Sequence, residues 1–150
     1  MSYIKKIILL LILILNFNNA FAFINEKINF TSFYLNKYEV TISEFKEYAL
    51  KNNIITEAEK TGGGYEWGAG WEKRTNWNYL NPYGEKPDSE LEPAVHISRF
   101  EAENYCNYHG GRLPTFDEWK KAAYTQQFKS DLFDVGKTYK YPSGDTAVNM

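Results

Sequence analysis

The chain has 150 residues, 43% of them hydrophobic and 24% charged, which is the balance of an ordinary globular protein. A formal net charge of −2 leaves no basic surplus of the kind that draws nucleic acid or an anionic membrane surface. Aromatic residues reach 17%, with 12 Tyr and 10 Phe, which suits long loops packed with rings and suits a peptide- or sugar-binding surface equally.

The first residues, Met1 to Lys6, carry two lysines, an apolar run follows over 7–15, and small residues flank Ala22. This pattern predicts a secretory signal peptide over 1–22, because a spanning helix needs about 20 apolar residues and the run is shorter. The shortness of the run speaks against a stable membrane anchor, and the lack of a cysteine directly after it against a lipid anchor. The expected location is the periplasm or the exterior. Residues 23–150 are enough for one domain and not for two.

Residues 28–39 mix Phe30, Phe33, Leu35 and Tyr38 with polar positions and read as one or two short strands. Three helices are predicted from a Ser or Thr followed three residues later by Glu, where the hydroxyl and the carboxylate satisfy first-turn amides reciprocally. The first starts at Thr41-Ile-Ser-Glu44 and carries Ile42, Phe45 and Ala49 on one face. The second starts at Ser98-Arg-Phe-Glu101, carries Ala102, Tyr105, Cys106 and His109, and stops at Gly110-Gly111. The third starts at Thr115-Phe-Asp-Glu118 and places Trp119, Ala122 and Ala123 on its inner side. Between the first two helices, residues 61–92 hold Trp67, Trp71 and Trp77 among glycines and prolines without a period of 2 or 3.6, which reads as a long aromatic-pinned loop. Residues 93–97 are a further strand candidate. The mixture implies an α+β domain.

Little of this chain has the spacing of a catalytic site. Arg112, ahead of Leu113-Pro114, could clamp a carboxylate, of a substrate or of Glu118, but its cap and packing neighbours favour a structural ion pair that fixes the loop on the third helix. Thr115 and Glu118 are explained by capping, and Asp117 by the helix dipole. His96 and His109 are the only histidines, too few for most closed metal sites. Cys106 is the only cysteine, which in an oxidising compartment means a free thiol, an intermolecular bridge or an absent partner. The aromatic loop over 65–79 has the best claim to binding, with Arg74, Trp77 and Asn78 as planar or polar contacts to a peptide, against the alternative that its rings cover the core.

Several stretches resemble one family when taken together: TEAEKTGGG at 56–64, GWEKRTNW at 70–77, EPAVHISRFEAENYCNYHGGRLPTFDEWKKAAY at 92–124 and YPSGDTAVN at 141–149. They are similar to the formylglycine-generating enzyme family, also called the sulfatase-modifying factor domain. The segment KYEVTISEFKEY at 37–48 resembles its opening strand and helix, and Arg112-Leu-Pro-Thr115 followed by Glu118-Trp119 is the most specific piece.

The resemblance implies an α+β fold related to C-type lectins with little regular secondary structure, and it covers the N-terminal portion of the domain. The family's founding activity is the oxidation, with molecular oxygen, of a sulfatase cysteine to formylglycine, using copper held by two cysteines. Those cysteines belong to the later half, so the chain is expected to be inactive alone and to need no copper of its own. Cys106 matches a helix cysteine that in some members pairs with one near the far end of the domain. Asn149 matches an asparagine that begins a calcium site in the family, whose remaining oxygen ligands would come from downstream. The partners implied are a peptide or protein substrate and a second polypeptide that completes the domain; the alternative is a non-catalytic periplasmic binding or scaffold module that uses residues 65–79. With half a domain, the helices lose cover and a marginally stable chain is expected.

Overall fold

The computed structural model describes residues 26–146; the expected leader over 1–22 and the candidate calcium ligand Asn149 lie outside them. The elements in order are β1 (Lys27–Asn29), β2 (Tyr34–Asn36), α1 (Ile42–Lys51), α2 (Glu57–Lys60), β3 (Gly63–Trp67), β4 (Trp71–Thr75), α3 (Arg99–Tyr108) and α4 (Phe116–Tyr124). Short helices and two separate antiparallel hairpins, β1–β2 and β3–β4, make the α+β architecture that the sequence implies. They divide into two compact units, one formed by Glu39–Leu113 and the other, among the described residues, by 26–38 with 114–146.

The Glu39–Leu113 unit owns the hydrophobic core. Ile42, Phe45, Tyr48 and Ala49 on one face of α1 meet Tyr79 and Tyr105, with Val40, Ile54, Leu80, Ala94, Ile97 and Cys106 packed around them. The apolar spacing read from the sequence thus finds its cover, extended by Tyr48. Phe45 holds the cluster through rings: Tyr79 meets it edge-on at 4.9 Å and Tyr105 stacks at 5.7 Å. Such ring pairs add to the apolar area each aromatic buries, which is why a small core is built from them.

All three expected helix starts carry complete capping boxes at Thr41, Ser98 and Thr115. A fourth, unexpected one is at Thr56-Glu-Ala-Glu59, where Thr56 is fully buried and its amide donates to Glu59 Oε2 at 2.8 Å. It escapes a reading by periodicity because α2 is a single turn with only Ala58 buried. Glu101 of α3 ties two helix starts together: Oε2 accepts from the Ser98 amide at 2.8 Å and Oε1 from the Glu57 amide at 2.7 Å.

Three expectations are corrected. Residues 61–92 are not wholly irregular, because β3 and β4 pair over their full length with Trp67 opposite Trp71 and Tyr65 opposite Lys73. The strand expected over 93–97 reduces to a bridge between Pro93 and Thr41, since His96 has a φ of 58° and cannot continue an extended run. Trp119 is not on a buried face: it is 55% exposed and α4 buries none of its residues. In the unit that carries α4, Phe30 is the one buried hydrophobic side chain among the described residues, so little is present to cover the helix.

Candidate binding surface on an aromatic hairpin

The β3–β4 hairpin separates two chemistries by the alternation of side chains across a strand. One face carries Glu66, Glu72 and Arg74, and the other carries Tyr65, Trp67, Trp71 and Lys73. On the charged face the Arg74 Nε donates to Glu66 Oε2 at 2.8 Å and its Nη2 lies 2.9 Å from Glu72 Oε2. The hydrogen bond and charge of Glu66, then the charge of Glu72, push the guanidinium pKa upward. Arg74 is therefore already clamped to two carboxylates of its own hairpin.

On the aromatic face Trp67 and Trp71 meet edge-to-face at 5.3 Å across the strands while remaining 65% and 70% exposed. Tyr65 beside them is 56% exposed. Three exposed rings on one side of a hairpin of two five-residue strands are a stacking surface of the kind that mixed apolar and polar ligands use.

Trp77 is held below this hairpin. Its ring is edge-on to Tyr83 at 5.6 Å and tilted against His96 at 5.6 Å, and Gly84 approaches so closely that a Cβ there would sit 2.9 Å from the indole nitrogen. His96 in turn shares a hydrogen bond between Nε2 and the Pro82 carbonyl at 2.9 Å, and its ring fills the space a side chain would need at Gly64. Asn78 is half-buried and caps a turn, its Oδ1 accepting from the amides of Leu80 at 2.9 Å and Asn81 at 3.1 Å.

Arg74, Trp77 and Asn78 are thus near one another in sequence but each is committed to a structural partner. The exposed rings are Tyr65, Trp67 and Trp71, which the sequence alone places inside a loop. The signal that could have found them is Gly68-Ala-Gly70 between two runs rich in aromatics, a three-residue hairpin loop. His96 was considered only as a metal ligand; its position under β3 follows from a left-handed backbone that spacing does not reveal.

Elsewhere, Arg112 donates from Nη1 to the Leu113 carbonyl at 3.1 Å, and Thr115 with Glu118 closes the N-terminus of α4. Cys106 is a half-buried free thiol whose pKa is pushed up, first by burial and then by Glu103. Copper held by two thiolates does not fit these residues, because the sequence has one cysteine. Among the described residues no group of three or more His, Cys, Asp or Glu side chains could hold a metal ion. Among them also, no helix is long and apolar enough to cross a membrane.

Comparison with known proteins bears on what this arrangement serves. Residues 16–149 match the model of the sulfatase-modifying factor enzyme 1-like domain. The formylglycine-generating enzyme of Bos taurus is 29% identical over 79% of this chain and 37% of its own length. The inactive C-alpha-formylglycine-generating enzyme 2 of the same organism is 27% identical over 77% of the chain and 48% of its own length. A hercynine oxygenase of Mycolicibacterium thermoresistibile is 33% identical over 53% of the chain and 19% of its own length. The chain therefore spans less than half the length of these relatives. With the α+β architecture and capped helices described above, the family model covers nearly all of the sequence, and the chain belongs to the formylglycine-generating enzyme, or sulfatase-modifying factor, family with its C-type-lectin-like fold.

Proposed function

We propose that this chain is the N-terminal portion of an exported protein of the formylglycine-generating type, and that by itself it does not carry out the oxidation. The intact activity in this reading is oxygen-dependent conversion of a sulfatase cysteine to formylglycine. The observation that carries the reading is Cys106: one half-buried cysteine supplies no pair for copper. The basic and apolar start of the sequence supports export to the periplasm or the exterior. A second polypeptide that supplies the copper-binding half would complete the site, with calcium held from Asn149 onward in the completed domain. In the completed enzyme Arg74, Trp77 and Asn78 would shape the substrate side as a preset framework.

The test is incubation of the purified 150-residue chain with copper, oxygen and a cysteine-containing sulfatase peptide, followed by mass spectrometry for the aldehyde product. No conversion is expected, and conversion by the chain alone would overturn the reading.

The exposed pair Trp67 and Trp71 favours a second reading, a non-catalytic binding or scaffold module that uses residues 65–79. The relatives include one whose name marks it as inactive, which is compatible with a family member that binds without catalysis. This reading expects saturable binding of a specific labelled peptide or glycan, followed by anisotropy and lost when Trp67 and Trp71, the two exposed indoles, are both replaced by Ala. Absence of any saturable ligand counts against it.

A further inference from the structure

Residues 29–31 read Asn-Phe-Thr, and no other asparagine of the chain has Ser or Thr at the second position after it. Asn-x-Ser/Thr, with x other than Pro, is the acceptor pattern of N-linked glycosylation on exported chains. A triplet this short also arises by accident, so its place in the fold decides what it can do.

Asn29 ends β1 at the corner of the β1–β2 hairpin, directly opposite Tyr34. Side chains alternate across a strand, so Asn29 and Tyr34 share one face with Lys27 and Asn36, while Ile28 and Leu35 share the other. This pattern, and not exposure alone, marks the Asn29 face as the outward one, because any further part of the domain is stabilised by covering Ile28 and Leu35. The exposures agree: Asn29 is exposed, Tyr34 is 67% exposed, and Ile28 and Leu35 are half-buried. Phe30, the middle of the triplet, is buried and stacks on Phe33 at 4.8 Å. It anchors the corner while Asn29 and Thr31 on either side stay exposed.

The acceptor geometry is local. Asn29 Oδ1 accepts the Thr31 amide at 2.9 Å, in a turn that Thr31 completes with a left-handed φ of 69°. That bond uses the side-chain oxygen; among the described residues no hydrogen bond engages Asn29 Nδ2 or the Thr31 hydroxyl. The corner itself is closed by backbone, the Phe30 amide donating to the Phe33 carbonyl at 2.9 Å. The nitrogen to be modified and the hydroxyl that completes the pattern therefore stand together at a hairpin tip, where an added group displaces no packing.

We propose that Asn29 is an N-glycosylation site of the exported protein. In the transfer, Asn29 Nδ2 bonds to the anomeric carbon of a lipid-diphosphate-linked oligosaccharide. The bond from that carbon to the diphosphate oxygen breaks, its electron pair leaves with the lipid diphosphate, and one amide proton passes to a base of the membrane-bound transferase that joins the two. Nothing is oxidised or reduced. The inference rests on the export proposed above and is independent of the oxidation and its copper.

The test expresses the full chain, with its own residues 1–22, in the organism that encodes it. Trypsin cleaves after Lys27 and Lys37, so the purified protein yields the peptide 28–37. Fragmentation mass spectrometry is expected to find a protein that begins at Phe23 and a saccharide on Asn29. The saccharide should be lost completely in Asn29→Asp, which keeps an oxygen for the Thr31 amide. It should also be lost in Thr31→Ala, which keeps that amide, and survive in Thr31→Ser, so the turn alone does not account for the pattern. A chain without residues 1–22 whose Asn29 is unmodified overturns the site and leaves export standing, whereas a chain that retains them overturns both. A saccharide on this peptide that persists in Asn29→Asp or in Thr31→Ala also overturns the proposal.

Discussion

The contact between Gly64 and His96 shows how a single missing side chain sets the local structure. The His96 ring stands where a Cβ at position 64 would be, so the strand can pass only because Gly64 has none. His96 holds its place through the Pro82 carbonyl and the Trp77 ring, both of which lie on the irregular segment after the hairpin. Gly64→Ala should therefore cost about 1–3 kcal/mol in urea unfolding, the usual penalty of overpacking. In a His96→Ala background the same substitution should cost less than half as much, since the ring it strikes is gone. Equal costs in the two backgrounds would show that His96 does not set the strain.

At the level of elements, four capping boxes fix where helices begin, and Glu101 gives one of them a reach beyond its own helix. Its two oxygens satisfy the amide of Ser98 beside it and that of Glu57, 44 residues before it in the start of α2. Glu101→Ala should lower stability by about 1–3 kcal/mol, the range for losing charge-assisted bonds to helix-start amides. Hydrogen exchange should then quicken at Glu57–Lys60 as well as in α3; an effect confined to α3 would refute the coupling. The helix starts and the α1 face were legible in the sequence because hydroxyl, carboxylate and apolar spacing are local facts. The hairpin was not, because its rings and charges alternate on two largely solvent-facing sides and leave no apolar period. The three residues assigned to substrate, Arg74, Trp77 and Asn78, looked available because Glu66, His96 and the turn amides that engage them cannot be deduced from composition.

For the molecule as a whole, the distribution of core decides what melts first. Ile42, Phe45, Tyr48, Ala49, Tyr79 and Tyr105 all lie in the Glu39–Leu113 unit, while α4 in the other unit buries nothing. Half of these core residues are tyrosines, and burial is the first cause that pushes the phenol pKa of Tyr48, Tyr79 and Tyr105 upward. In the unfolded chain a tyrosine ionises near 10. Because folding raises these pKa values, the folded state binds the proton more tightly. The contribution is complete below about pH 10 and falls away as the pH rises beyond it. Absorbance at the phenolate band should therefore show a steep rise at high pH that coincides with loss of near-ultraviolet ellipticity. Tyr105→Phe should reduce the amplitude of that rise without abolishing it, since Tyr48 and Tyr79 remain. Hydrogen exchange at neutral pH should rank the units in the same order, with α1 and α3 protected longest and α4 opening first. Ionisation of Tyr48, Tyr79 and Tyr105 with no loss of near-ultraviolet ellipticity, and α4 as slow to exchange as α1, would mean that this core does not hold the chain.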